Sequence, residues 1–489
     1  MSSPAATGFC RVTVVAPDSR IDVALPEDIA VADIYPQVLR LTRQTQPVGA
    51  PAGYNLVRQD GTVLDGARTL AAQRVLDGEV LSLLPFAMSL PPAVFDDVAD
   101  AVASAVVQDR RLWRDALLRG AGLTGSFLLL LLMAFVLWFA DPVRHDMNGL
   151  PGILAGGMGL LLLAFAGVRV RVYEDRAAGA VLGLAALPLL LVAGSGIIAP
   201  DAGHGPGRLQ FLLGCVTVLV ASVLLVVVSP GSDAPFVAAT FLAAAGALAA
   251  FVAILTQATP AEAAAVAAPV TIALVAFLPG LSSRFARLPI GYAAPRSSVQ
   301  EDFDADPNPA VDLGPLDAAR IAAQARRGHE LLLGLVAGSA SVVVGSAVVL
   351  GFSGNVWGQL LALAAGLATL LRARLFRYTS QVACALGAGI AAIAALLIGL
   401  ALNPPGDALR ELLLHENHGP LELRAVWLTA AIALGCALLT AIALIIPTKG
   451  LSPFWGRLLD LTESAILLSL VPLCLAVLDV YDAARSLTS

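Results

Sequence analysis

Residues 120–140 read GAGLTGSFLLLLLMAFVLWFA, a run with no charged side chain. As an α-helix it rises about 30 Å, the thickness of a bilayer's hydrocarbon core. Ten further runs with almost no charge follow, at 149–168, 177–199, 209–228, 234–256, 262–281, 330–352, 354–371, 379–402, 425–446 and 458–480. Together they define a polytopic α-helical membrane protein with about eleven transmembrane helices. The composition agrees: of 489 residues 58% are apolar and 13% charged, against about 25% charged in a soluble domain. A mean hydropathy of +0.81 excludes an ordinary soluble enzyme. The net charge of −6 supplies no basic field for nucleic acid.

Loop charges set the orientation, because short translocated loops are depleted in Lys and Arg. With the N-terminus inside, the inner segments carry 18 basic residues, among them Arg284, Arg287, Arg372, Arg374 and Arg377, and the outer segments carry five. An odd number of spans then puts the C-terminus outside. No charged n-region with a short apolar h-region precedes the first 119 residues, which are expected to stay in the cytoplasm. Trp113, Trp138, Trp357, Trp427 and Trp455 all fall near span ends, where an indole anchors at the membrane interface.

Ahead of the spans, FCRVTVV at 9–15 and IDVAL at 21–25 are β-branched segments separated by Pro17-Asp18-Ser19, which predicts a β-hairpin. Val31 to Thr45 places Ile34, Val38 and Leu41 on one helical face, with Pro36 near its start. Strands follow at 54–58, before the Asp60-Gly61 turn, and at 80–84, introduced by Asp77-Gly78. The order β-β-α-β-β is that of an N-terminal ubiquitin-like β-grasp domain. The chain continues past Pro85, so this domain is a docking module and no conjugated modifier. From Pro91-Pro92 an amphipathic helix runs to Trp113, as a plain connector or a partner-binding face.

The domain boundaries that result are 1–8, an N-terminal tail; 9–86, the cytoplasmic ubiquitin-like domain; 87–119, the connecting helix; 120–281, transmembrane helices one to six; 282–329, a cytoplasmic loop; 330–480, helices seven to eleven; and 481–489, a tail facing the periplasm.

Several stretches resemble the EccD family, the multispanning membrane subunit of bacterial type VII (ESX) secretion systems. They are CRVTVVAPDSRIDVALP at 10–26, LDGEVLSLLP at 76–85, FDDVADAVA at 95–103, the loop between spans six and seven, and LDVYDAAR at 478–485. The resemblance implies a non-catalytic scaffold in the bacterial inner (plasma) membrane that forms a pore wall and pairs as a homodimer enclosing a lipid-filled space. Its implied neighbours are an FtsK-like secretion ATPase (EccC-type), EccB-type and EccE-type subunits and membrane lipids, with the ubiquitin-like domain docking the ATPase. It implies no enzyme activity and no cofactor.

A secondary active transporter with a regulatory ubiquitin-like domain is the alternative. Transporters place ionisable groups or broken helices near mid-membrane. Here only the last span carries charge well inside, at Asp460 and Glu463, one helical step apart on one face. Both fall on the cytoplasmic side, where pairing with an inner-loop arginine or a partner competes with a proton relay. Prolines 188, 269, 279 and 472 interrupt spans without polar residues beside them and read as kinks. Gly179/Gly183, Gly334/Gly338 and Gly354/Gly358 have the spacing of close helix crossings.

The loop centre EDFDADPNPAVDLGP at 301–315 holds Glu301, Asp302, Asp304, Asp306 and Asp312 with three prolines and no base. It reads as an extended segment, either a solvated linker or a stretch that orders against a neighbouring subunit. Arg284 and Arg287 begin the loop and, with Arg372, Arg374 and Arg377, form a membrane-surface basic set. His415 and His418 would share a ligand only on a continuous helix. No metal site is expected. The cysteines, Cys10, Cys215, Cys384, Cys436 and Cys474, stand singly, which argues against disulfides or zinc. No nucleophile–base arrangement or phosphate loop is present.

Overall fold

The computed structural model describes residues 8–16, 19–42, 54–85, 115–201, 204–229, 233–287, 318–449 and 452–488. The chain divides into two compact units, residues 1–113 and 114–489.

In the first unit, alternation of apolar and polar residues builds β1 (Phe9–Ala16) and β2 (Ser19–Pro26), paired antiparallel from Phe9↔Pro26 to Ala16↔Ser19. The periodicity from Val31 forms α1 (Val31–Leu41), with Thr42 as its C-cap and the Thr42 hydroxyl donating to the Val38 carbonyl; the rest of the stretch read to Thr45 lies outside the described residues. β3 (Tyr54–Arg58) and β4 (Glu79–Pro85) complete a sheet of order β2-β1-β4-β3, with β1 and β4 parallel. Parallel neighbours require a crossover, and α1 lies within it. Ile34 and Val38 from the helix pack with Val12, Val14, Leu56, Leu81 and Leu83 in one core. The two turns read from the sequence hold φ +87 at Gly61 and +85 at Gly78, a backbone region that glycine enters at no steric cost. This is a β-grasp fold. The connecting helix from Pro91-Pro92 to Trp113 lies outside the described residues.

Among the described residues the second unit holds ten helices long and apolar enough to cross a membrane, and an eleventh span if one bent pair counts as one. They are α2 (Asp115–Trp138), α3 (Leu150–Arg171), α4 (Arg176–Ser195), α5 (Arg208–Val228) and α6 (Asp233–Thr256), the bent pair α7 (Pro260–Val275) and α8 (Leu278–Phe285), then α9 (Ala318–Gly351), α10 (Val356–Arg372) and α11 (Thr379–Leu402). A short α12 (Gly406–His415) precedes α13 (Gly419–Lys449) and α14 (Pro453–Val477), and α15 (Val480–Thr488) ends the chain.

Helices α2 to α6 share one core around Leu189, Leu190, Leu225 and Phe236, and α7, α9, α10, α11 and α14 share another around Ile272, Leu350, Leu361 and Leu396. Small residues set the closest approaches. A Cβ on Gly338 would lie 2.6 Å from the Phe241 side chain, and one on Gly334 2.6 Å from the Ala234 carbonyl oxygen, so α9 crosses α6 through that glycine pair. Gly179 and Gly183 likewise sit against Val170 and Phe236. The third pair differs: Gly354 holds φ +69 in the turn before α10 and packs against no helix.

The sixth span is not the continuous kinked helix expected over 262–281. It bends by 65° between α7 and α8, and Pro279, read as a kink, stands in the first turn of α8. Proline has no N–H to lose there, so it begins a helix more readily than it bends one. Pro188, Pro269 and Pro472 do lie inside their helices.

Candidate functional site at the arginine-rich end of the bundle

The arginine and carboxylate contacts of the second unit sort into two ends. One holds Arg119, Arg169, Arg171, Asp175, Arg372, Arg374, Asp460 and Glu463. The other holds Arg208 bonded to Gln257, Asn403 to the Phe352 carbonyl, and Arg424 to the Leu400 and Asn403 carbonyls. The alternation is that of helices running up and down.

At the arginine-rich end, Asp460 and Glu463 project from the second and third turns of α14 toward the end of α10. Arg374 bridges both, Nη1 lying 3.1 Å from Asp460 Oδ1 and Nη2 2.8 Å from Glu463 Oε2. Glu463 also faces Arg372, whose Nε is 3.7 Å from Oε1. The two carboxylates differ in setting: the Glu463 side chain is 16% exposed and that of Asp460 72%.

Arg372 reaches further, its Nη1 donating to the Ile272 carbonyl in α7. That carbonyl is free because the helix tightens there: the Ala276 N–H bonds to Ala273 and the Phe277 N–H to Leu274, each one residue short of the α-helical partner. A backbone carbonyl without a donor is costly in a bilayer. The guanidinium supplies the donor, and Glu463 balances its charge. Three segments far apart in sequence, α7, α10 and α14, are thereby tied at the break.

A second node was not singled out from the sequence. Asp175, in the connection between α3 and α4, accepts from the Ala178 N–H as the N-cap of α4 and pairs with both Arg119 of α2 and Arg169 of α3. The Ala178 N–H, then Arg169 and Arg119, hold its carboxyl below the usual aspartate range. The signal was present in the sequence, since an Asp just ahead of an apolar run is an N-cap candidate.

Of the membrane-surface basic set, Arg372 and Arg374 are consumed by these pairs, whereas Arg284 at the end of α8, Arg287 and Arg377 are exposed and make no ion pair among the described residues. Glu301, Asp302, Asp304, Asp306 and Asp312 lie outside the described residues. α12 ends at His415, and Glu416 turns the chain with φ +51, so His415 and His418 do not share one helix. Among the described residues no group of three or more His, Cys, Asp or Glu is placed to hold a metal. Helix α13 packs against little of its own unit. No residue in its apolar window is buried, and Leu434, Leu438 and Val426 are all exposed.

Comparison with known proteins assigns both units. Residues 118–487 match the EccD-like transmembrane domain. Residues 9–83 match YukD of the WXG100 protein secretion system. The ESX-4 secretion system protein eccD4 of Mycobacterium tuberculosis, in strains CDC 1551 / Oshkosh and H37Rv, is 28% identical over 98% of this chain and 98% of its own. Among solved structures, protomer 1 of the ESX-3 core complex superposes with a TM-score of 0.59 at 22% identity, covering 97% of this chain and 100% of that one. A chain of the MycP5-free ESX-5 inner membrane complex follows at 0.52 and 20%, covering 88% and 99%; at these identities the likeness is one of fold. With the family's membrane domain matched across three quarters of its length and a YukD domain ahead of it, the chain belongs to the EccD family.

Proposed function

We propose that this chain is a non-catalytic scaffold and pore-wall subunit of a type VII (ESX) protein secretion complex in the bacterial inner membrane. The observation that carries the reading is the joining of a β-grasp head to about eleven spans in one chain. The N-terminal head faces the cytoplasm and docks an FtsK-like secretion ATPase. EccB-type and EccE-type subunits and a second copy of the chain complete its surroundings, and the C-terminus lies outside. Support for membrane partners comes from α13, no residue of whose apolar window is buried within the chain, and from α2 and α14, in which only 6% of the window is. The acidic segment 301–315 orders against a neighbouring subunit.

The transporter reading would draw on the broken sixth span, since unwound helices bind solutes in transporters. The break is near the arginine-rich end of that span, beyond the 16 residues of α7, and its freed carbonyl is occupied by Arg372. Substrate sites sit at the midplane, so the break fits a structural joint better.

A pull-down of the full chain in mild detergent, read by mass spectrometry, tests the scaffold reading. Co-purification of a secretion ATPase with other membrane subunits is the expected outcome, weakened when 301–315 is deleted while membrane insertion is kept. Recovery of a lone protein that binds a small solute would overturn it.

A further inference from the structure

A trough runs along the outside of the first helix group, between α3 and α5. Its volume is about 520 Å³, far beyond the roughly 30 Å³ that one water occupies. Ala164 and Gly167 form a floor of small residues, Leu160, Val168 and Leu224 stand along it, and Arg171 closes one end. The stretch from Leu160 to Val172 covers roughly 18 Å of helix, close to the half-thickness of about 15 Å for one leaflet's hydrocarbon. The trough therefore begins at the arginine-rich membrane surface and ends near mid-bilayer.

Charge decides what fits it. Arg171 donates from Nη2 to the Val227 carbonyl at the end of α5, which fixes the guanidinium at the mouth of the trough, and its other N–H groups have no partner among the described residues. Its neighbour Arg169 is taken by Asp175, whereas Arg171 has no acidic partner among the described residues. An apolar channel one acyl chain long, headed by an unneutralised guanidinium at headgroup depth, is complementary to an amphiphile with a single anionic head.

We infer that the α3–α5 trough is a binding site for an anionic phospholipid of the leaflet that meets the arginine-rich end, one acyl chain lying over Gly167 and the phosphate pairing with Arg171. The inference rests on the membrane-spanning fold and stands whether or not the secretion reading holds.

The test uses the full chain, purified and stripped of lipid, titrated with phosphatidylglycerol or phosphatidylcholine and read by native mass spectrometry. Wild type is expected to retain one phosphatidylglycerol in preference to phosphatidylcholine. Arg171→Gln lowers phosphatidylglycerol affinity about fivefold, the contribution of one basic group at a membrane surface, and phosphatidylcholine affinity by less, because the choline cation already offsets that lipid's phosphate. Arg171→Lys restores most of the preference. Gly167→Leu fills the floor and removes both lipids; an unchanged melting temperature without lipid certifies its fold. Arg176→Gln makes the same charge change at the same end of the bundle, outside the trough, and keeps binding. Equal losses for Arg171→Gln and Arg176→Gln would reduce the effect to general surface attraction and overturn the site. Displacement of the lipid by inorganic phosphate alone would also overturn it, because the acyl chain would then contribute nothing.

Discussion

Glu463 and Asp460 have the same charge, the same helix and the same arginine, and the structure gives them different weights. Glu463 is largely enclosed and balances Arg372, which in turn caps the open carbonyl of Ile272. Asp460 is mostly in solvent, where an ion pair is worth about 0–1 kcal/mol. Glu463→Gln is therefore expected to cost about 1–2 kcal/mol, between the surface and buried limits. Asp460→Asn should stay within about 0.5 kcal/mol. Thermal denaturation of the purified protein in detergent compares them, and equal shifts would show that the Arg372 joint carries no stability. Glu463→Gln also separates joint from relay: a variant that assembles and secretes normally excludes proton transfer through Glu463.

Elements follow from local pattern, and their joints do not. The strands of the head were readable because alternation is a two-residue signal, and the Asp60-Gly61 and Asp77-Gly78 turns because only a few residue types tolerate positive φ. The break between α7 and α8 was not, although Pro279 marked the place. A proline fits both a kink and a helix start, and the choice depended on a donor for Ile272 that comes from Arg372, a hundred positions away. Glycine spacing shows the same division. Gly334/Gly338 and Gly354/Gly358 look alike in sequence, yet the first pair seats α9 on α6 while Gly354 makes a turn. Gly338→Leu should then destabilise the bundle by about 1–3 kcal/mol through overpacking, and Gly358→Ala much less, its nearest neighbours being side-chain atoms 3.1 Å away or more. Melting curves of the two variants check the order; reversal would mean that the α9–α6 crossing is not the tight one.

On the scale of the whole molecule, orientation is the property to test. The arginines gathered at one end by alternating helices are those that the positive-inside rule assigns to the cytoplasm. An alkaline phosphatase fused after Ser489 should be active and a green fluorescent protein there dark, with the opposite result for fusions ahead of Phe9. A fluorescent C-terminus would require an even number of spans, and the bent α7–α8 pair would then be a re-entrant loop.

By itself the sequence determined the membrane class, the β-grasp head and the approximate positions of the spans, because hydropathy, alternation and turn chemistry are properties of neighbouring residues. It also marked Asp460 and Glu463 as charges that need partners in a low-dielectric setting. Only the tertiary structure decided which arginines those partners are, that Asp175 joins three helices, that the sixth span breaks, and that α3 and α5 leave a trough ending at Arg171. Each of these depends on groups tens of residues apart in the chain, and an unsatisfied charge or carbonyl fixes the kind of partner required without fixing where along the chain it lies.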